Sequence, residues 1–162
     1  MSIIRNKRQV IEFYAAFDNR QIDQALEMLA SNFVAHMAGM PEPLDAEAFK
    51  AFGMTFYAAF TNSHHQFEQV IATEDQVITC GTFHATHLGG FQGLPPTGQR
   101  IKLDVMHIDR LEQGEIVEHW GQGDALGLMQ QLGIVFLPGP KLVPTLLKYA
   151  ASNVLKRFPK HS

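Results

Sequence analysis

Residues 115–124 read EIVEHWGQGD and bring together an imidazole (His119), the chain's only tryptophan (Trp120) and a Gly-x-Gly step that ends on a carboxylate (Asp124). Twelve residues before His119 lies His107, in the stretch IKLDVMHIDRLE. Both segments alternate apolar and polar residues, so both are expected to be strands, joined at Glu112-Gln113-Gly114. The loop type decides what the two histidines can do together. A three-residue loop with Gly114 left-handed pairs Leu111 with Glu115, which sets His107 opposite His119 and Val105 opposite Gly121. A two-residue turn at Gln113-Gly114 sets His107 opposite Trp120 instead. Imidazoles directly opposed on one sheet face stand about 5 Å apart. One can then act as a base near neutrality while the other donates. They can also ligate a metal, although no third ligand stands at a standard spacing, so no metal is expected. Or they can simply hydrogen-bond to each other and to water.

These strands need a scaffold. Val10, Phe13, Tyr14 and Phe17 recur at helical spacing over residues 5–17. A short second helix carries Ile22, Ala25, Leu26 and Leu29, and Phe33-Val34-Ala35-His36 reads as a short strand. Asp45 is a suitable cap for a third helix running to about Phe60, with Phe49, Phe52, Phe56, Tyr57 and Phe60 in its stripe. The period then falls from 3.6 to 2. Residues 64–73, 76–88, 100–111 and 115–121 are expected strands, with a long Gly89–Gly98 turn region stiffened by Pro95-Pro96. A short helix follows from Asp124 to Gly133. Pro138, Gly139 and Pro140 set off a last helix at about 143–158, with Leu147, Ala150, Ala151, Val154 and Phe158 along one side. Helices followed by a run of antiparallel strands indicate an α+β fold.

Composition narrows the function. The chain has 162 residues, enough for one domain with a sizeable core, and a net charge of −3 argues against a general nucleic-acid binder. A single cysteine, Cys80, forms no internal disulfide and suggests a reducing compartment. The opening MSIIRNKRQVIEF lacks an export h-region, and no stretch approaches a membrane span, so a soluble cytoplasmic protein is expected. His84 and His87 are three apart on a strand and point to opposite faces. His87 is expected to serve the Gly89–Gly98 loop, and His64-His65 to be a solvated strand start. The last helix, with Lys148, Lys156, Arg157 and Lys160 off its apolar side, most simply packs on the domain or on a second subunit; lying on a membrane surface is its other use.

Two stretches carry a family resemblance: GTFHATHLGGFQGLPPTGQ at 81–99 and IDRLEQGEIVEHWGQGDALGLMQQLG at 108–133. They resemble the SnoaL-like polyketide cyclase and ester cyclase family, whose cone-shaped α+β fold is shared with nuclear transport factor 2 and ketosteroid isomerase. The resemblance covers about residues 5–133, so the expected organisation is a SnoaL-like domain at 1–133 followed by a linker and helix at 134–162. It implies a curved antiparallel sheet wrapped around the N-terminal helices, enclosing an apolar pocket. It also implies ring closure without metal or cofactor, by a base that takes a proton next to a carbonyl and a donor that stabilises the enolate.

Residue by residue, the family's pocket histidine corresponds to His107 and the histidine of its EHW run to His119. These are the expected catalytic pair, with His107 as base and His119 as donor or partner; the three-residue loop is preferred because it places them on one face. The family's acid/base carboxylate falls at Gly121, which cannot take a proton. A substrate-binding asparagine corresponds to Ala35, next to His36, and the family's downstream aspartate to Asp124, which is otherwise an ordinary helix cap. Candidate substrate contacts are therefore His36, Gly121 and Asp124, together with Phe33, Phe56, Val105 and Trp120 on the expected wall. The expectation is a protein that binds a small apolar metabolite with a carbonyl group and performs cyclase or isomerase chemistry. The alternative is a binding protein without turnover, and a purely structural oligomer is a weaker third. Relatives of this fold dimerise through the open sheet face, so a homodimer or higher oligomer is implied.

Overall fold

Helix α1 (Ile3–Asp18) begins where the Ser2 hydroxyl accepts the Arg5 N–H, and it buries Val10, Phe13, Tyr14, Ala16 and Phe17 along one stripe. It stops at Asn19-Arg20, where Arg20 takes the left-handed conformation with φ 64°. Helix α2 (Ile22–Leu26) is one short turn. Strand β1 (Leu29–Met37) is longer than the expected 33–36, because its first residues also pair with a neighbouring strand. Helix α3 (Ala46–Ala59) starts at Asp45, whose carboxylate accepts the Ala48 N–H at 2.8 Å. Four strands follow: β2 (Phe60–Ala72), β3 (Gln76–His87), β4 (Arg100–Glu112) and β5 (Glu115–Gly123). Helices α4 (Ala125–Gln131) and α5 (Val143–Arg157) end the chain. The computed structural model describes residues 2–135, 137 and 139–157, with side chains described as far as residue 150. Phe158 and Lys160, expected in the last helix, and Pro138 before it lie outside the described residues.

The strands form one sheet in the order β1-β5-β4-β3-β2, with β1 parallel to β5 and the other pairs antiparallel. The sheet is curved, and helices α1 and α3 pack against its inner face, so the α+β cone implied by the family resemblance is present. Irregularities between Thr61 and His64 and between Phe67 and Gln69 interrupt the β2–β3 ladder, as expected where long strands must bend. The core gathers aromatic rings from both helices and the sheet. Phe13 lies edge-on to Tyr14 and Phe17, and Phe17 stacks on Tyr57 with centroids 5.8 Å apart. Among the described residues, no helix is long and apolar enough to cross a membrane.

The β4–β5 hairpin departs from the expected three-residue loop. Gln113 and Gly114 both have positive φ, 50° and 95°, so the chain reverses in a two-residue turn with Glu112 opposite Glu115. The ladder then slips by one residue. Leu111 pairs with Ile116 while Arg110 pairs with Glu118, leaving Val117 as an extra residue in β5. Beyond the bulge, His107 is opposite Gly121, Asp109 opposite His119 and Val105 opposite Gly123. His107 and His119 therefore share a face, but diagonally rather than directly opposed.

Gly81 marks the tightest approach in the sheet. A Cβ there would come within 2.1 Å of the Gln66 carbonyl oxygen, beside the β2 irregularity. Backbone cannot yield to such a contact, so Gly81→Ala is expected to destabilise the fold by about 3 kcal/mol. Urea denaturation of the variant against the parent checks this.

Candidate active site

The odd-numbered residues of β4 and β5 that point inward meet α1 and α3 over a cavity of about 380 Å³. This lies in the range that holds a small organic molecule. Its wall is mostly aromatic and apolar, including Phe49, Phe52, Phe56 and Phe91, with His65, His107, His119 and Gly121 among the polar or bare positions. His65 is a correction to the solvated strand start. His64 is exposed, but the His65 side chain turns inward, donates its backbone N–H to Asp18 Oδ2 at 2.7 Å, and has its Nδ1 3.0 Å from Asp18 Oδ1.

At the back of the cavity, Asp109 is fully buried. Its Oδ2 accepts the Tyr14 hydroxyl at 2.9 Å, and its Oδ1 lies 2.8 Å from His119 Nδ1. Burial, then the Asp109 charge and its hydrogen bond, push the Tyr14 phenol well above its ordinary value, so it stays protonated and donates. A carboxylate in this position accepts from both sides, which assigns the proton of His119 to Nδ1. Nε2 of His119 then carries a free lone pair on the cavity side. It lies 3.0 Å from where a Cβ on Gly121 would stand. The space next to it is taken by the Met37 thioether, whose Cε and Sδ would lie 2.9 and 3.0 Å from that Cβ.

His107 is arranged differently. Its ring lies 4.9 Å from the Tyr14 ring and 5.4 Å from that of His119, and neither of its buried nitrogens has a hydrogen-bond partner. Burial, followed by the nearness of His119 and His65, holds its pKa well below the usual imidazole value. His107 is thus a neutral imidazole with both nitrogens unpaired.

The other sequence candidates fall in several places. Phe56, Val105 and Gly121 line the cavity with the two histidines. Phe33 is buried against Phe49 and is not part of the lining. His36 and Trp120 are paired neighbours on β1 and β5 whose even-numbered register turns them to the outer face, where their rings stack with centroids 5.1 Å apart. There His36 Nε2 lies 3.0 Å from Glu118 Oε1, and Arg110 Nε donates to Glu118 Oε2 at 3.0 Å. Asp124 caps α4 by accepting the Gly127 N–H at 2.9 Å and is exposed. It does not orient either histidine; Asp109 does that for His119. His87 does serve the long loop, accepting the Thr97 N–H at 3.3 Å. Among the described residues, no group of three His, Cys, Asp or Glu side chains could hold a metal ion.

Three residues of the site escaped the sequence reading: Asp109, Tyr14 as a polar group, and Met37. Asp109 stands two residues after His107, the spacing that puts strand residues on one face, and that signal was available. Tyr14 sits in an aromatic helix stripe, where the spacing alone implies core.

The depressed pKa of His107 has a consequence for stability. Below about pH 6.5 the unfolded chain takes up a proton at this histidine that the folded chain refuses, so stability falls as pH drops. Replacing His107 with Gln is expected to flatten the loss of Tm between about pH 7 and pH 5. Thermal melts across that window, on variant and parent, measure it.

The chain is similar to several known proteins. Residues 8–132 match the family model of the SnoaL-like polyketide cyclase. Two aklanonic acid methyl ester cyclases are each 27% identical over 130 residues: DauD from Streptomyces sp. (strain C5) and DnrD from Streptomyces peucetius. The match covers 78% of this chain in both cases, with 78% of DauD and 87% of DnrD. Among solved structures, AclR from Streptomyces galilaeus superposes with a TM-score of 0.77 at 24% identity, covering 83% of this chain and 100% of its own. IdmH from Streptomyces antibioticus gives 0.73 at 26% identity, covering 80% and 99%. With the family model spanning most of its length, this chain belongs to the SnoaL-like polyketide cyclase family.

Proposed function

We propose that the cavity binds a small, largely apolar carbonyl compound and that His119 moves a proton at the carbon next to the carbonyl, without a cofactor. The observation that supports this is the buried chain Tyr14–Asp109–His119, which ends on a free Nε2 beside Gly121 inside an apolar pocket. In this reading His119 is the base and Asp109 a positioning residue. The order of roles expected from the sequence, with His107 as base, is reversed, because burial without a partner makes His107 a poor proton acceptor.

The chemistry balances within these residues. Nε2 takes the proton from the α-carbon, and the imidazolium that forms is stabilised across Nδ1 by Asp109. The electron pair moves onto the carbonyl oxygen as an enolate, and the N–H of neutral His107 donates to that oxygen. For a cyclisation, the enolate carbon attacks a second carbonyl of the same molecule and the new alkoxide recovers the proton from His119. For an isomerisation, His119 returns the proton to a different carbon. The names of DauD and DnrD, cyclases of a methyl ester, favour the first.

A second reading is a binding protein without turnover. It is favoured by the Met37 thioether, which fills the space a side chain at position 121 would use. Deuterium exchange separates the two. Aklanonic acid methyl ester serves as probe, incubated with the protein in heavy water and followed by NMR. Proton transfer predicts washout of the α-hydrogens, slowed at least about 10²-fold in His119→Gln with affinity little changed. Asp109→Asn is expected to slow exchange and to lower stability by about 3 kcal/mol, since it disturbs a buried pair. A probe that binds tightly yet keeps its hydrogens leaves the binding reading standing and removes the enzymatic one.

A further inference from the structure

The chain is electrically divided. All 16 acidic residues and 8 of the 13 basic ones lie within residues 1–133, which gives that part a net charge of −8. Residues 134–162 contain the remaining five, Lys141, Lys148, Lys156, Arg157 and Lys160, and no acidic residue, for a net charge of +5. This segment begins just beyond the family match, which ends at residue 132.

The described part of its helix, α5, is not buried against the domain. Every residue from 141 to 150 is exposed. The exposed residues include Val143 at 42%, Leu146 at 43% and Leu147 at 65%, which cluster with Ala150 on one arc of the helical wheel. Lys148 falls on the other arc, beside Thr145. Among the described residues, neither Lys141 nor Lys148 is in an ion pair. Val135 and Leu137, just upstream, are 79% and 83% exposed. Gly139 and Pro140 separate them from the helix.

We propose that residues 139–150, through Lys141, Val143, Leu146, Leu147 and Lys148, form an interfacial anchor for an anionic lipid surface. The apolar arc of Val143, Leu146 and Leu147 would enter the boundary between headgroups and acyl chains while Lys141 and Lys148 meet lipid phosphates and carboxylates. Two features choose lipid over another protein surface. The segment has cations and no counter-charge of its own, the pattern that anionic lipid rewards roughly in proportion to the number of basic residues. Its exposed apolar residues supply the second attachment that a basic patch needs for stable binding. The helix is too short and too polar to span, so it lies in the plane of the surface. Such an anchor would hold the domain where apolar ligands concentrate, and it stands whether or not the cavity performs chemistry.

The test is sedimentation of the full chain with phosphatidylcholine vesicles, with and without phosphatidylserine. Binding is expected only with phosphatidylserine and should weaken as salt is raised. Lys141→Gln and Lys148→Gln are each expected to reduce partitioning about fivefold, and Leu147→Asp to abolish it. All three positions are exposed, so the fold is retained, and circular dichroism verifies this. Equal sedimentation with both vesicle types, or none with either, overturns the proposal. So does a dimer, seen by analytical ultracentrifugation, that Leu147→Asp dissociates, because it would assign the helix to a second copy of the chain.

Discussion

A carboxylate removed from water must be held by donors, and Asp109 is held on both oxygens. This constraint ties distant parts of the chain together. Tyr14 comes from the first helix, 95 residues away in sequence, and His119 from the last strand. Neither partner can shift without leaving a buried polar group unpaired, at about 1–3 kcal/mol for each group. The helix that fills the cone is thereby locked to the strands that line the cavity. The ring of His119 is fixed in one tautomer by the same bond that fastens the fold. The stability of the fold and the orientation of His119 share one set of atoms here.

The cavity wall follows from that lock. With α1 pinned at Tyr14, Phe13 and Phe17 face Phe49 on α3, and the remaining aromatic side chains close around the hollow. His107 is left among rings, with no polar group offered to it from the protein. Gly121 removes the side chain that would otherwise separate His119 from the cavity, and flexible Met37 fills what remains. The site combines one imidazole that is firmly oriented with another that is open to whatever enters.

The fold was largely legible because hydrophobic period is a local signal. The stripe Val10, Phe13, Tyr14, Phe17 and the alternation in residues 100–121 each report one face of one element. The family motifs at 81–99 and 108–133 supplied the curvature that period alone does not contain. The site was legible only in part. His107 and His119 were placed on one face, but by a direct pairing that does not exist, since a bulge at Val117 depends on how both neighbours of β5 pair at once. His36 and Trp120 went to the outer face for the ordinary reason that even and odd residues of a strand diverge. Asp109 was hidden by its neighbours Ile108 and Arg110, in a run that reads as a plain amphipathic strand. The spacing from His107 gives its face, but its pairing with Tyr14 arises from a helix at the other end of the chain, which no short-range pattern encodes.

The hairpin works by parity. A tight turn alone would deliver Trp120 to the interior opposite His107, and the one extra residue at Val117 restores the odd series instead. Loss or gain of a single residue between Glu115 and Glu118 would therefore turn His119 and Gly121 out to solvent and bring an indole inside, flipping the rest of β5 beyond the bulge along with them. Length changes in this hairpin can be neutral only in even steps. A lineage that crossed such a step would exchange an imidazole-lined hollow for an indole-lined one in a single event.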